Sequence, residues 1–471
     1  MKTDPFPGRS VQAKCAVAFI WVILAQAGCA SYQAKPLTEA AVAERLAAPA
    51  QSVLTVEAAR IEHPILKPVQ IDAHAGLTPD EAAILAVLVN PGLKAQRDRK
   101  NVSAAQLFKA GILPNPQFGA SLDFPVAGAT QGTVNAYGLA LDYNISALIT
   151  RGAEINAARL HGASVVLDVA WKEWQGAEAA KLSAYRLGLL ERQLTVARQE
   201  EDGLRENLRA VQQAVAMGAM TVIHLSAARA SLEKVHLSAL GIRQKLELER
   251  FALQKAMGFE PGHLIQLRRP IHLPQVSALP AADKLLAGLA NRRLDLVALR
   301  IGYQSQEQTL RAAVLGQFPR ITTGIGQARD TGNIVTQGFS LTIGLPFFDL
   351  NQGRIAVEQA TRQQLFDEYA ARLFDARSSV AKLRSGLEAI ADQIRATQAY
   401  LPVQQKLMAT YYDALLHGNA DVLTYYNARD ERFATRISLI DLQLNLVDRF
   451  VALEIASGQY LSQAQTEEEN R

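Results

Sequence analysis

The sequence predicts a mainly α-helical protein with a membrane β part, built from a duplicated unit of helix, β-hairpin, very long helix and returning helix. Three observations predict it. Residues about 200 positions apart match along the two halves, four short segments alternate with period two, and the longest segments carry an apolar seam at steps of three and four. The composition agrees, with 471 residues, 49% hydrophobic, 6% aromatic, 20% charged and a mean hydropathy of +0.01. That apolar content excludes a disordered chain, and few aromatics among much Ala and Leu suit long packed helices better than a sandwich. A net charge of +4 without a basic arm argues against a nucleic-acid partner.

The chain opens with a basic stretch (Lys2, Arg9, Lys14), an apolar run over 16–25 and then Gln26-Ala27-Gly28-Cys29. Ten apolar residues are too few to span a bilayer as a stable helix, so residues 1–28 read as a signal peptide. Ala-Gly-Cys resembles the lipobox of bacterial lipoproteins, which makes Cys29 the expected acylated residue; Gln26 departs from the aliphatic residue usual in that motif. Ala30 and Ser31 follow in place of the Asp that retains lipoproteins in the inner membrane, so the expected location is the outer membrane, lipid-anchored and extending into the periplasm. Cys15 falls in the removed segment, which excludes an internal disulfide. Residues 29–77 form an N-terminal arm punctuated by prolines.

Each following element has a counterpart. At an offset of 200 the pairs include Gly138/Gly338, Ile155/Ile355, Gly218/Gly418, Val222/Val422, Arg229/Arg429 and Leu253/Leu453; upstream the offset is 203, as in Leu93/Leu296 and Pro116/Pro319. The first repeat (78–258) reads as helices 78–112, 152–216 and 221–257 with strands 116–126 and 133–145. A Pro-rich linker, 259–280, precedes the second repeat (281–457), with helices 283–315, 352–416 and 421–457 and strands 319–328 and 334–345; a tail (458–471) ends the chain. The long helices carry seams such as Leu187, Leu190, Leu194, Ala197, Glu201, Leu204 and Ala376, Val380, Leu383, Leu387, Ile390, the period of a left-handed coiled coil. At 1.5 Å per residue, such a helix is roughly 95–100 Å long.

The strands place Phe118, Leu122, Tyr137, Leu139, Leu141, Phe339, Leu341 and Ile343 on one face, and Gly119, Ser121, Gly138, Asp142, Gly324, Gly338 and Ser340 on the other. Segments of this length with an apolar outside and a small or polar inside suit a transmembrane barrel. Four strands cannot close one, and open edges cannot lie in lipid, so several chains must contribute.

This order resembles the TolC-type outer-membrane efflux family over about residues 78–457. Leu345-Pro346-Phe347-Phe348-Asp349-Leu350-Asn351-Gln352-Gly353 is similar to the segment that joins the last strand to the second long helix. Both Asn351-Gln352-Gly353 and Gly111-Ile112-Leu113-Pro114-Asn115-Pro116 look most like the heavy-metal-efflux branch. The equivalent first-half segment, Ile145-Ser146-Ala147-Leu148-Ile149, lacks the Pro and the Asp. The resemblance implies a homotrimer with a twelve-stranded barrel continuing into a twelve-helix α-barrel. It also implies a duct for metal cations or drugs, served by a periplasmic adaptor and an inner-membrane pump of the RND type, and no cofactor. Gly218, Ala219, Met220 and Thr221, with Gly418, Asn419, Ala420 and Asp421, fall at the periplasmic tip where the adaptor docks; Asp421, Tyr425 and Arg429 are gate candidates.

The histidines, at 63, 74, 161, 224, 236, 263, 272 and 417, have no metal-site spacing, and no phosphate loop or catalytic constellation stands out, so no enzyme is expected. The alternative is a periplasmic coiled-coil adaptor or scaffold lipoprotein, which would share the seam and signal but lack the hairpins.

Overall fold

The computed structural model describes residues 31–72 and 75–461. The chain divides into two compact units, Met1–Ala48 and Pro49–Arg471. The described part of the first holds helix α1 (Glu39–Leu46), begun by Thr38, whose hydroxyl accepts from the Ala41 amide at 3.3 Å. Cys29 and the segment 1–28 lie outside the described residues, as does the tail beyond Leu461.

The second unit begins with α2 (Gln51–Ala58), α3 (Pro79–Val89) and α4 (Pro91–Gly111), followed by β1 (Gln117–Asp123), β2 (Ala136–Asn144), α5 (Ser146–Ala216) and α6 (Val222–Met257). After a 3-10 turn at Val276–Ala278 come α7 (Ala282–Leu286), α8 (Leu289–Arg292), α9 (Leu294–Leu315), β3 (Arg320–Arg329), β4 (Val335–Gly344), α10 (Gln352–Leu416) and α11 (Val422–Ser457).

Three boundaries differ from the sequence expectation, each for a local reason. The helix expected over 78–112 breaks at Asn90, which precedes Pro91 and is pushed out of the helical region to ψ 118°. Asn90 then starts α4 by accepting from the Gly92 and Leu93 amides at 2.8 and 3.3 Å, and its amide nitrogen donates to the Ala256 carbonyl at the end of α6. The helix expected over 283–315 is in three pieces, interrupted at Gly288 (φ +69°) and Arg293.

The third difference concerns the two long helices. α5 starts at Ser146, directly after its strand, whereas α10 waits until Gln352. Nothing in Ile145-Ser146-Ala147-Leu148-Ile149 opposes a helix, and Asn144 Oδ1 receives the Ser146 amide at 3.0 Å. In the second half Pro346 delays the helix. Asp349 Oδ1 then accepts from the Asn351 amide at 2.8 Å, and Asn351 turns left-handed at φ +60° while its side chain donates to Ala313 O near the end of α9 at 2.6 Å.

The four strands form one antiparallel sheet in the order β1-β2-β3-β4, so β2 and β3 join the two hairpins. Its register aligns side chains in rows. Phe118, Leu141, Ile325 and Phe339 form one, and Gln117, Asp142, Gly324 and Ser340 another on the opposite face. The apolar row is exposed, Phe118 by 69% and Phe339 by 70%. Beside the polar row, Gly119, Ala140, Gly326 and Gly338 leave almost no side chain on that face.

The helical core follows the seams. α5 packs along α6, α9, α4, α3 and α11, and α10 along α11. Leu187, Leu190, Leu194, Ala197 and Leu204 join one buried cluster with Val235, Ile242, Leu246 and Leu253 of α6, while Val380, Leu387 and Ile390 join a second with Leu446, Phe450 and Leu453 of α11.

Candidate functional site

The two turns far from the sheet are built alike. At the end of α5 the Gly218 amide donates to Val215 O at 3.0 Å and the Ala219 amide to Ala214 O at 2.8 Å; at the end of α10 the Gly418 amide donates to Leu415 O at 3.1 Å and the Asn419 amide to Ala414 O at 2.8 Å. Both glycines sit at φ +72°, the left-handed position that closes a helix through this paired-bond motif. The turns then diverge. Thr221 precedes α6, and its hydroxyl and amide contact His224 Nδ1 at 2.8 and 3.4 Å, whereas Asp421 precedes α11 with its side chain making no cap bond. Ala219, Asn419, Thr221 and Asp421 are exposed; Met220 and Ala420 are half-buried.

Of the three gate candidates, the structure brings two together. Arg429 Nε donates to Glu200 Oε1 at 2.6 Å, and its Nη1 lies 3.5 Å from the Tyr425 hydroxyl; Arg432 Nη2 donates to the other Glu200 oxygen at 3.1 Å. Glu200, 4% exposed, is thus the shared acceptor by which α5 holds α11. Burial opposes the Arg429 charge, but the Glu200 carboxylate outweighs it and holds the guanidinium above its ordinary pKa. Asp421, at the exposed start of α11, stands apart from this group.

The tie extends through residues that the sequence reading missed. Tyr426 donates its hydroxyl to Asn207 Oδ1 of α5, and burial first, then the neighbouring Tyr425, push its pKa up to about 12. Tyr425 contacts Tyr412 and Tyr426 edge-on or tilted, with ring centres 5.4 and 5.2 Å apart. Asp430 faces the other way and accepts from Ser231 at 2.6 Å and Lys234 at 3.0 Å on α6. The signal for Glu200 in the sequence is the acidic run Glu200-Glu201-Asp202 inside an apolar seam, where the seam spacing picks out only Glu201.

Comparison with known proteins agrees with this architecture. Residues 285–459 match the family model described as outer membrane efflux protein. Among curated proteins, the cation efflux system protein CusC of Escherichia coli K12 is 25% identical over 275 residues, and the chain spans 60% of that relative's length. Among solved structures, a crystal structure of CusC superposes with a TM-score of 0.69 at 19% identity, covering 85% of this chain and 98% of that one. The Vibrio cholerae outer membrane protein VceC gives 0.67 at 17% identity, covering 81% and 96%, and the Campylobacter jejuni CmeC channel 0.66 at 15%, covering 83% and 88%. The second part of the chain thus matches the outer membrane efflux protein family model, and most of its length shares the fold of these outer-membrane channel structures.

Proposed function

We propose that the chain is the exit duct of a tripartite efflux system, carrying cargo delivered by an inner-membrane pump of the RND type and a periplasmic adaptor across the outer membrane. The observation that carries this reading is the sheet. Both its edges, β1 and β4, are unpaired, and the side chains over one face are apolar and exposed. Open edges cannot lie in lipid, so strands of neighbouring chains must complete the barrel, and three copies supply twelve. Exposed apolar stripes on α6 (Leu237, Leu240, Leu248, Phe251) and on α10 (Phe366, Phe374, Tyr400, Val403) give each copy two further faces for its neighbours. Twelve helical strands of wall then continue the barrel.

On this reading residues 78–258 and 281–457 are duplicated repeats joined by 259–280. The signal segment 1–28 is removed and Cys29 carries the lipid. The turns at 218–221 and 418–421 meet the adaptor, and Tyr425 and Arg429, with Glu200, hold α11 in the closed arrangement while Asp421 lines the entrance. Metal cations are the first cargo to test, because the curated relative is a cation efflux protein and the segments 111–116 and 351–353 resemble that branch; organic drugs are the second.

The test is recovery from outer-membrane fractions as a heat-modifiable trimer that conducts ions in planar bilayers. Recovery as a soluble periplasmic monomer sinks the reading. Deleting the gene and measuring sensitivity to metals, dyes and antibiotics side by side then assigns the cargo.

A further inference from the structure

The most heavily charged buried site in the described chain lies away from both the sheet and the turns, halfway along α5. Lys181 and Glu454 are fully buried, with Nζ donating to Glu454 Oε2 at 2.7 Å. Asp80, in the first turn of α3, places Oδ1 3.0 Å from the same ammonium, and the Tyr460 ring lies 4.4 Å from it. Glu178, one turn before Lys181 on α5, is also fully buried, and both its oxygens lack a hydrogen-bond partner. Four segments therefore meet at one ammonium: α3, α5, α11 and the chain that leaves α11.

Donor accounting fixes the protonation. Glu454 is satisfied as an anion, since Oε2 receives Lys181 and Oε1 receives the Leu461 amide at 2.8 Å. Glu178 receives nothing, and a bare carboxylate out of water among two others and a single cation is not tolerated. A neutral acid has what an anion lacks there, a proton to donate to its neighbour Glu454. Burial, followed by the Glu454 charge, pushes the Glu178 pKa well above the usual carboxylate range, while burial opposes the Lys181 charge and the Glu454 and Asp80 carboxylates overcome it. The nearby phenols, Tyr185 and Tyr460, are raised by burial and stay neutral.

The first half handles the same place without charge. Two hundred residues earlier, Gln254 accepts from the Gly262 amide at 3.4 Å and donates to His263 O at 2.9 Å, tying down the chain after α6 as Glu454 ties down the chain after α11. A neutral amide suffices for that task. The charged version adds a dependence on one proton.

We infer that Glu178, Lys181 and Glu454 form a proton-dependent latch that holds the C-terminal end of α11 on the middle of α5, closed while Glu178 carries its proton and loosened when the proton leaves. Ionising Glu178 puts a third carboxylate beside Lys181 and takes away the proton that it can give to Glu454. The segment released first is the one hung from Glu454 Oε1, at Leu461. Among the described residues, Asp80, at the rim, and the two tyrosines are the remaining titratable groups in the site.

The test compares the intact protein with Glu178→Gln, which keeps the shape and donates an N–H to Glu454 at every pH. Because the folded state holds a proton that the unfolded chain loses above the ordinary Glu pKa of 4.5, wild-type stability falls relative to the variant as pH rises from there. The expected result is that Glu178→Gln melts higher than wild type at neutral and alkaline pH, with the gap closing towards pH 4.5. Hydrogen exchange around Leu461 should accelerate with pH, beyond its intrinsic dependence, in the wild type only. The infrared difference between the two at neutral pH should contain the carbonyl band of a protonated carboxylic acid. Equal pH profiles, or no such band, overturn the latch. Should the amide pack poorly, Glu178→Met removes the same acid; a melting difference from wild type that does not change with pH in either variant also overturns it.

Discussion

Glu200 is the carboxylate shared by two arginines of α11, and losing it leaves both guanidinium groups half-buried without their ion-pair partner, held only by the neutral oxygens of Tyr425 and Gln405. Removing one member of a buried pair costs about 3–5 kcal/mol. Arg429 and Arg432 are 12% and 18% exposed, which puts Glu200→Ala at the lower end, near 3 kcal/mol by the same scale, read as a lower denaturation midpoint. If the tie also holds the duct closed, its bilayer conductance rises. Asp421→Ala loses only a favourable helix-end charge, about 0.5 kcal/mol. A similar cost for both would show that Glu200 has no special place.

His63 titrates the opposite way from Glu178. Its Nδ1 accepts from the Ile65 and Leu66 amides, both at 3.0 Å, which leaves Nε2 to donate to the Ala170 carbonyl at 3.0 Å. Burial, the largest influence, lowers the pKa below 6.5, partly offset by that carbonyl and by Glu173. The unfolded chain therefore binds the proton first. The stability contributed is present above pH 6.5 and is lost as pH falls below it towards the folded pKa. Melting curves across that window should be steeper in pH for the wild type than for His63→Gln, and identical slopes would remove His63 from the account.

At the scale of elements, the junction before α10 shows what the sequence could and could not say. Leu345-Pro346-Phe347-Phe348-Asp349 could be read as a stop to the strand because proline and an Asp-initiated turn act locally. The partner of Asn351 could not, since Ala313 is 38 residues away and its carbonyl is left open only because α9 ends there. The break at Asn90-Pro91 was locally legible and was overridden by the apolar pattern on both sides. The seams and strand faces were legible because periodicity reports burial directly. Glu200, Glu178 and Lys181 were not, because a charge on a helix face reads as solvated until the opposing helix is known. Asn351 does two jobs, a left-handed backbone and a side-chain bond, and two variants separate them. Asn351→Gly keeps the backbone and loses the bond, about 1 kcal/mol; Asn351→Ala loses the same bond and holds a Cβ at φ +60° without the local side-chain bonding that lets asparagine tolerate that region, adding about 1–2 kcal/mol relative to glycine. Equal melting temperatures would mean that the left-handed turn is not under strain.

For the whole molecule, the open sheet decides between a closed ring and an aggregating edge. An exposed, flat, apolar edge pairs with any similar strand, and two identical edges would generate open-ended stacks. Here the edges differ: β1 carries Gln117-Phe118-Gly119-Ala120-Ser121 and β4 carries Gly338-Phe339-Ser340-Leu341-Thr342, and the two lie on opposite sides of the sheet. A head-to-tail contact of β4 with the next copy's β1 closes when the rotation between copies divides the circle. On the proposed assembly, three copies bring the strand number to twelve, within the range of membrane barrels. Cysteines paired across that contact test the assembly directly. Ser121→Cys combined in turn with Thr336→Cys, Gly338→Cys or Ser340→Cys, all on the polar face, should yield after mild oxidation a covalent species three chains in size for the combination in register. Each single variant should yield none beyond background. A ladder extending past three chains would mean an open stack, and monomer alone in every combination would mean that β1 and β4 never meet.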